Sequence, residues 1–318
     1  MGIQMRWLVT GAAGYIGSHV CQDLLQAGND VLALDNLSTS TGDRIANQCE
    51  LIIGDIRDLS LIQKILSRHK IDGIMHLAAL KSPEDSMKNE ILYMDNNFFG
   101  TKVLIDAAIM NDVELFIQSS SSSVYGDSLN SDLREEDQLT PISPYGVSKL
   151  ESEKYLASKI QSEEIRGASL RYFNVVSHAS RNLADKSSFN LFPSIIRAIR
   201  NNQSPIIYGK DFSTPDGTCI RDYVHVRDVS NAHLQIAANL QNGQLPSYAY
   251  NVGTGSGYSV LEIVQKFLSV MYSDLLPIFE LPRPGDPHKV VANVERITKE
   301  VSFKASNDLQ SMVLGALS

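Results

Sequence analysis

Gly11-Ala12-Ala13-Gly14-Tyr15-Ile16-Gly17 decides how the chain folds. Before it stands the apolar, β-branched run 7–10. After it Ile16, Val20, Leu24 and Leu25 recur by threes and fours, as on one face of a helix. Glycines at such a strand-to-helix turn permit positive φ, close backbone approach to a pyrophosphate, and close packing of helix on strand. The helix start then turns free N–H groups and its positive dipole end toward phosphates. The spacing is GxxGxxG rather than GxGxxG, and a glycine triplet by itself is equally a tight structural turn. Asp35 sharpens the reading. It ends the second strand-like run about 20 residues beyond the turn, where a carboxylate accepts both hydroxyls of an adenosine ribose and repels a 2′-phosphate. No Arg stands beside it, so NAD is the expected cofactor; an ordinary strand-end Asp capping a turn is the alternative.

Outward from this turn, strand-like runs recur at 7–10, 31–34, 51–53, 74–77, 115–117 and 168–172. Helical spacing fills the intervals, at 16–25, 59–66, 101–110 and 145–160. Strands separated by helices imply right-handed crossovers and a parallel sheet covered on both faces. The fold class expected is α/β, a doubly wound, Rossmann-type parallel sheet with a smaller, irregular α/β substrate lobe. Beyond about residue 175 helices are expected at 191–200, 229–240 and 260–272. Turn-rich pieces such as Ser213-Thr214-Pro215-Asp216-Gly217 and Arg283-Pro284-Gly285-Asp286 separate them. The division expected is a dinucleotide-binding domain over 1–174, to which later segments return, and a mainly substrate-binding lobe over 175–318.

At 318 residues, 43% apolar and 20% charged, the chain has material for two cored domains and is not disordered or collagen-like. Its 28 Lys and Arg against 36 Asp and Glu leave a net charge of −8, with no dense basic run. Nucleic acid and membrane surfaces are therefore not expected partners, and an anionic ligand would need a local cluster of cations. The apolar runs are short of a membrane span, and no signal peptide opens the chain. Met1-Gly2 hints at myristoylation, but Arg6 stands where that motif has Ser or Thr. Cys21, Cys49 and Cys219 are isolated and odd in number, as in a cytoplasmic protein with reduced thiols. His19, His69, His178, His233 and His288 share no ligand spacing, so no metal is expected.

Chemistry is written in Tyr145-Gly146-Val147-Ser148-Lys149, which follows Pro144 at a helix start. Residues i and i+4 share a helical face, so the ammonium stands beside the phenol. A neighbouring cation and an oxidised nicotinamide both favour phenolate, and the Tyr145 pKa is expected to fall toward working pH. The same pattern alone is often a solvated pair. Ser119 to Ser123 end the fifth strand, at the edge where α/β sheets place ligand-contacting residues. One hydroxyl there can bond a sugar hydroxyl and relay its proton to Tyr145.

Gly11 to Gly17, Leu34-Asp35-Asn36-Leu37, Gly54-Asp55-Ile56-Arg57 and Tyr145 to Lys149 resemble the extended short-chain dehydrogenase/reductases. Finer motifs resemble the UDP-glucose (UDP-galactose) 4-epimerases. These are His76-Leu77-Ala78-Ala79-Leu80-Lys81, Asp95-Asn96-Asn97, Ser119-Ser120-Ser121 before Val124-Tyr125-Gly126, Arg171-Tyr172-Phe173-Asn174, and Arg221-Asp222-Tyr223-Val224-His225. The likeness runs from about residue 6 to about 301. It implies Ser121, Tyr145 and Lys149 as the catalytic group. It implies NAD contacts from Gly11, Gly14, Tyr15, Ile16, Gly17, Asp35, Asn36, Asp55, Ile56, Leu77, Ala78, Ala79, Lys81, Asn96 and Phe173, besides Tyr145 and Lys149. Asn174, Asn190, Arg221, Arg283 and Asp286 would hold the UDP-sugar with Ser121; two guanidiniums suit diphosphate oxygens. Val290 would line the sugar pocket, where an aromatic resembles enzymes confined to glucose and galactose and a small residue those that take N-acetyl sugars. A homodimer through the helices near 97–110 and 145–160 is implied as well.

The implied reaction inverts carbon 4 of a UDP-hexose through a transient 4-keto sugar, with NAD regenerated in each turnover and kept bound. The related 4,6-dehydratases carry an Asp-Glu pair where this chain has Ser122 and Ser123, which speaks against dehydration. Three departures stand out: Val175-Val176-Ser177 in place of Pro-x-Gly, Pro83-Glu84-Asp85 in place of small residues, and an end at Ser318 without a final Trp-bearing helix. The alternatives are a nucleotide-sugar 4-ketoreductase using exchangeable NAD(P), against which Asp35 counts, and a non-catalytic NAD-binding scaffold. The scaffold has no use for Ser121, Tyr145 and Lys149 together.

Overall fold

In the computed structural model, residues 4–46, 49–126, 128, 132–187, 190–243, 245–283 and 285–318 are described. Pro284, within one of the expected turns, lies outside them. Seven strands form the main sheet: β1 (Arg6–Thr10), β2 (Asp30–Asp35), β3 (Glu50–Ile53), β4 (Gly73–His76), β5 (Leu115–Ser121), β6 (Arg166–Tyr172) and β7 (Ala249–Val252). All pairings are parallel, in the order β3-β2-β1-β4-β5-β6-β7. The order reverses at β1, which opens a crevice outside the carboxyl ends of β1 and β4.

Period-two alternation puts every buried strand to use on both faces. Trp7, Val9, Ala33, Met75 and Ile117 point to one core, which the helices Tyr15–Gln26 and Val226–Gln241 cover. Leu8, Leu32, Leu34, Ile74 and Phe116 point to the other, under Leu59–Arg68, Gly100–Met110 and Pro144–Gln161. Six strands fall where the sequence places them. The seventh, Ala249-Tyr250-Asn251-Val252, is only four residues long and carries too little pattern to stand out in the sequence; pairing with β6 is what makes it a strand.

A third core holds Phe192, Ile195, Tyr223, Ile263, Phe267 and Met312. Around it lie the helices Leu191–Arg200, Val260–Val270 and Leu309–Leu317 and a mixed sheet centred on the strand Ile220–His225. Asn174–Val176 pairs with that central strand, so Val175-Val176 continues a strand where Pro-x-Gly would have turned. Ser177 follows at φ 70°. Buried polar groups lock the two parts together. Arg171 of β6 holds Glu153 at 2.7 Å and the Tyr125 hydroxyl at 3.0 Å; that hydroxyl in turn donates to Asn251 of β7. Asp222 accepts from the amides of Thr254, Gly255 and Ala292. Motif residues Tyr125, Arg171 and Asp222 are thus structural.

Candidate active site

Because every strand of the main sheet runs the same way, the turns after β1, β2, β4, β5 and β6 all open at one edge. Gly11 stands there at φ 67°, and a Cβ on it would lie 2.5 Å from the Ala78 amide nitrogen. One on Gly17 would lie 2.1 Å from the Gly11 carbonyl oxygen. Only glycine allows this turn, the loop after β4 and the first helix to pack so closely. No side chain caps that helix, and no acidic residue stands in its first turn. The leading amides of a helix have no intrahelical partner, so those of Tyr15, Ile16 and Gly17 face the crevice as an anion cradle. Asp35 accepts one amide on each carboxylate oxygen, from Ala13 at 2.9 Å and Leu37 at 2.8 Å. Each oxygen keeps a lone pair for a ribose hydroxyl. The residues present fit a dinucleotide.

The other expected cofactor residues divide. Leu77 and Ala78 border the glycine turn, with the Leu77 amide bonded to the Thr10 carbonyl at 3.0 Å, and Ala79 follows half-buried. Asn36 is exposed and donates to Asp55 at 3.3 Å. Arg57 clamps Asp55 through two side-chain bonds of 2.9 and 2.8 Å and holds its carboxyl well below the usual range, so Asp55 is a permanent anion. Lys81 is exposed and Asn96 half-buried. Ile56 and Phe173 are buried in apolar clusters, so their side chains serve as core and a ligand would meet their backbone.

Tyr145 and Lys149 lie on the helix Pro144–Gln161. Ser143 caps it by accepting the Gly146 amide at 3.1 Å, and Pro144 supplies the fixed φ suited to a first helical position. A Cβ on Gly146 would sit 2.6 Å from the Ser123 carbonyl oxygen, so the helix start presses directly on the end of β5. Ser121, whose hydroxyl donates to Ser123 at 3.1 Å, stands close enough to the Tyr145 phenol to pull its pKa down. The strand's period of two puts Ser119 and Ser121 on one half-buried face, with Ser120 buried on the other.

One expectation is corrected here. Lys149 does not hold the Tyr145 pKa down: it donates to the Ser119 carbonyl at 2.9 Å and hydroxyl at 3.3 Å. Burial pushes the phenol up, and Ser121 is what pulls against it. Burial also lowers Lys149 to about 8, with Glu153 one turn on opposing the fall.

Several residues that support the site were not among those the sequence assigned to it. Asn97 is buried and uses its whole amide: it accepts from the Leu80 amide at 2.8 Å and from Asn96 at 2.9 Å. It donates to the Leu80 carbonyl at 3.0 Å and to Ser148 at 3.1 Å. The loop after β4 is thereby tied to the turn of helix between Tyr145 and Lys149. Behind it runs a buried chain from Thr10 through His76 to Thr101, with 2.7 Å at each side of the imidazole. Tyr93 packs edge-on against the Tyr145 ring at 6.4 Å. Its hydroxyl accepts the Ser82 amide at 3.2 Å, at the head of the short helix Pro83–Ser86 formed by the departing residues. Asn97 and Tyr93 stood within motifs or beside them, but their partners are far off in sequence.

The expected substrate residues form a looser set. Arg221 and Val290 are register partners on adjacent parallel strands. Arg221 donates to the Pro287 carbonyl at 2.8 Å and lies 3.5 Å from Asp286. Arg283 stacks over Tyr208 at 4.5 Å, which brings in an aromatic the sequence did not single out. Val290 is half-buried against the cluster of Tyr125 and Phe173. Asn174 is exposed at a strand start. Asn190 bonds Asp185 and borders a separate cleft that Ser121, Tyr145 and Lys149 do not line. Among the described residues no cluster of metal-ligating side chains occurs.

Residues 7–253 match the NAD dependent epimerase/dehydratase family. The chain is 35% identical to the UDP-glucose 4-epimerase of Azospirillum brasilense, over 98% of this chain and 91% of that one. A solved UDP-glucose 4-epimerase from Stenotrophomonas maltophila, with bound NAD and formylated UDP-arabinopyranose, superposes with a TM-score of 0.92. Its identity is 34%, covering 98% of this chain and 97% of that one. The UDP-Glc/GlcNAc 4-epimerase of Campylobacter jejuni superposes at 0.86 with 31% identity, covering 98% of each chain. By motif, fold and near full-length identity, the chain belongs to the UDP-glucose 4-epimerases of the NAD dependent epimerase/dehydratase family.

Proposed function

We propose that the protein is an NAD-dependent 4-epimerase of a UDP-hexose, acting on UDP-glucose and UDP-galactose and taking the N-acetyl forms as well. The observation that carries this reading is the meeting of Ser121, Tyr145 and Lys149 at the sheet edge where the glycine turn also opens. NAD, when bound, supplies the hydride acceptor and donor at carbon 4 of the sugar. Tyr145 takes the proton of the 4-hydroxyl, directly or through Ser121, and returns it after the opposite face of the ketose is presented. Lys149, fixed on Ser119, would hold the nicotinamide ribose. Asp35 takes the adenosine ribose. Arg221, Arg283 and Asp286 grip the nucleoside diphosphate while the sugar turns about it.

The dinucleotide-binding unit holds the cofactor, and the segments from residue 175 mainly hold the UDP-sugar. Assembly is as a homodimer. Ile91 is 85% exposed and Met110 70%, and Phe99 is exposed as well, beside the Gly100–Met110 and Pro144–Gln161 helices, which gives a second copy an apolar face to cover. No helix among the described residues is long and apolar enough to cross a membrane. With three free cysteines, the proposed location is the cytoplasm.

The test is incubation of the purified protein with UDP-galactose and, separately, UDP-GalNAc, with no NAD added and products read by NMR. Inversion at carbon 4 is expected with both. Absence of inversion even after NAD is supplied would overturn the assignment in favour of a reductase.

A further inference from the structure

A cleft of about 690 Å³ lies between the segment leaving the strand Asn174–Val176, the Leu191–Arg200 helix and the end of the Leu309–Leu317 helix. Arg221, Arg283 and the catalytic group do not line it. Its floor is apolar, with Pro193 and Ile196; its rim carries Arg181, Lys186, Arg197 and Arg200 against a single acidic side chain, Asp185. In a chain with a net charge of −8 this is a local reversal of sign. Asp185 is already taken up, by the Ser187 amide at 3.0 Å and by Asn190. Lys186 pairs with Asp43 at 3.0 Å. Among the described residues no salt bridge engages Arg181 or Arg200. Ser177 also lines the cleft, with its hydroxyl buried against Gly315 and turned away from the opening.

The cleft shares a wall with the cofactor crevice. On its far side, segment 177–187 is tied to the glycine turn and to the loop after β2. Tyr15 donates to the Ser177 carbonyl, the Ala179 amide donates to His19 at 3.1 Å, and Arg44 donates to the Ala184 carbonyl at 2.7 Å. The Lys186–Asp43 pair is a fourth tie. One segment therefore has the cleft on one face and the elements that cradle the dinucleotide on the other.

We propose that this cleft is a second anion site, one that takes a small organic phosphate and, when filled, braces segment 177–187 over the cofactor. Paired guanidiniums recognise phosphate oxygens bidentately, and the apolar floor takes the organic part. A ligand that binds only the closed arrangement stabilises it in proportion to its occupancy, and bound cofactor and ligand then favour each other reciprocally.

The test uses the NAD-loaded protein with its substrate site saturated by UDP, titrated with phenyl phosphate by calorimetry. The expected result is single-site binding that persists under UDP. It weakens at least tenfold in the Arg181→Ala/Arg200→Ala double variant and by less with Lys at both positions, which keeps the charge and loses the planar fork. Phenyl phosphate should slow NAD release several-fold in the parent and leave the double alanine variant unaffected, while epimerisation without phenyl phosphate is the same in both. No binding, binding displaced by UDP, or equal binding by the double alanine variant would overturn the proposal. The titration reads no turnover, so it stands or falls separately from the epimerase assignment.

Discussion

Three side chains set what the site can do. In the proposed reaction Tyr145 would be the acid and base, and burial pushes its phenol up against the pull of Ser121. Tyr145→Phe keeps the ring against Tyr93 and removes the proton carrier. A loss of ~10²–10⁴-fold in kcat is expected, with an unchanged melting temperature; a near-normal rate would exclude Tyr145 from the chemistry. Lys149 is a buried ammonium whose pKa is lowered to about 8. Its charged form is penalised in the fold, fully so below about pH 8, and the penalty fades as pH rises toward the unfolded value near 10.5. Lys149→Met is therefore expected to melt no lower than the parent at pH 7, while its activity falls and the rising limb of its pH profile stays in place. Val290 stands in register with Arg221, and the proposed sugar pocket would feel its size. Val290→Tyr should lower kcat/KM for UDP-GalNAc by tenfold or more and leave UDP-galactose within about threefold, since one bulky group in a pocket is worth roughly 1–3 kcal/mol. Equal loss on both sugars would remove Val290 from the specificity of the pocket.

At the scale of elements, what matters is how the loop after β4 is held against the helix of Tyr145 and Lys149. Asn97 does this with four hydrogen bonds from a buried position on a π-helical turn, Met94–Phe99. Asn97→Leu leaves the Leu80 amide and carbonyl and the Ser148 hydroxyl without that partner, at roughly 1–3 kcal/mol for each group left buried and unpaired. Lower stability and a rise in the rate of NAD loss are expected together, measured by thermal melts and by cofactor retained after gel filtration. Stability lost with full cofactor retention would reduce Asn97 to a packing residue. The motif Asp95-Asn96-Asn97 was legible as a motif, yet which of its members faces the cofactor and which clamps the fold was not. A side chain's role there depends on Ser148, 51 residues away in sequence.

Over the whole molecule, burial of neutral histidines sets a pH limit. His19, His225 and His233 are lowered to about 4 and His76 to about 3, in each case by burial first. His19 accepts the Ala179 amide and His225 the Arg227 amide, so protonation also breaks a bond. The unfolded chain takes up these protons near pH 6.5 and the folded chain only near 4 or below. Stability is complete above pH 6.5 and drains as pH falls through that window, by up to about 1.4 kcal/mol per pH unit for each histidine. Melting temperature should drop steeply from pH 7 to pH 5; a flat profile would mean that these rings are not buried and neutral.

Period and punctuation by themselves determined the alternation of strands and helices, the glycine turn, the carboxylate at the end of β2 and the Tyr145–Lys149 spacing. All are local, fixed by side-chain size, branching and the 2.0 and 3.6 repeats. Tertiary structure alone decided that 249–252 is the seventh strand, that Asp222 and Arg171 are structural, and that Lys149 bonds Ser119 and not Tyr145. It also set a cationic cleft behind the wall of the cofactor crevice. Each of these depends on groups far apart in the chain, and on the cost of leaving a buried polar atom unpaired, which is settled only when the whole chain has packed.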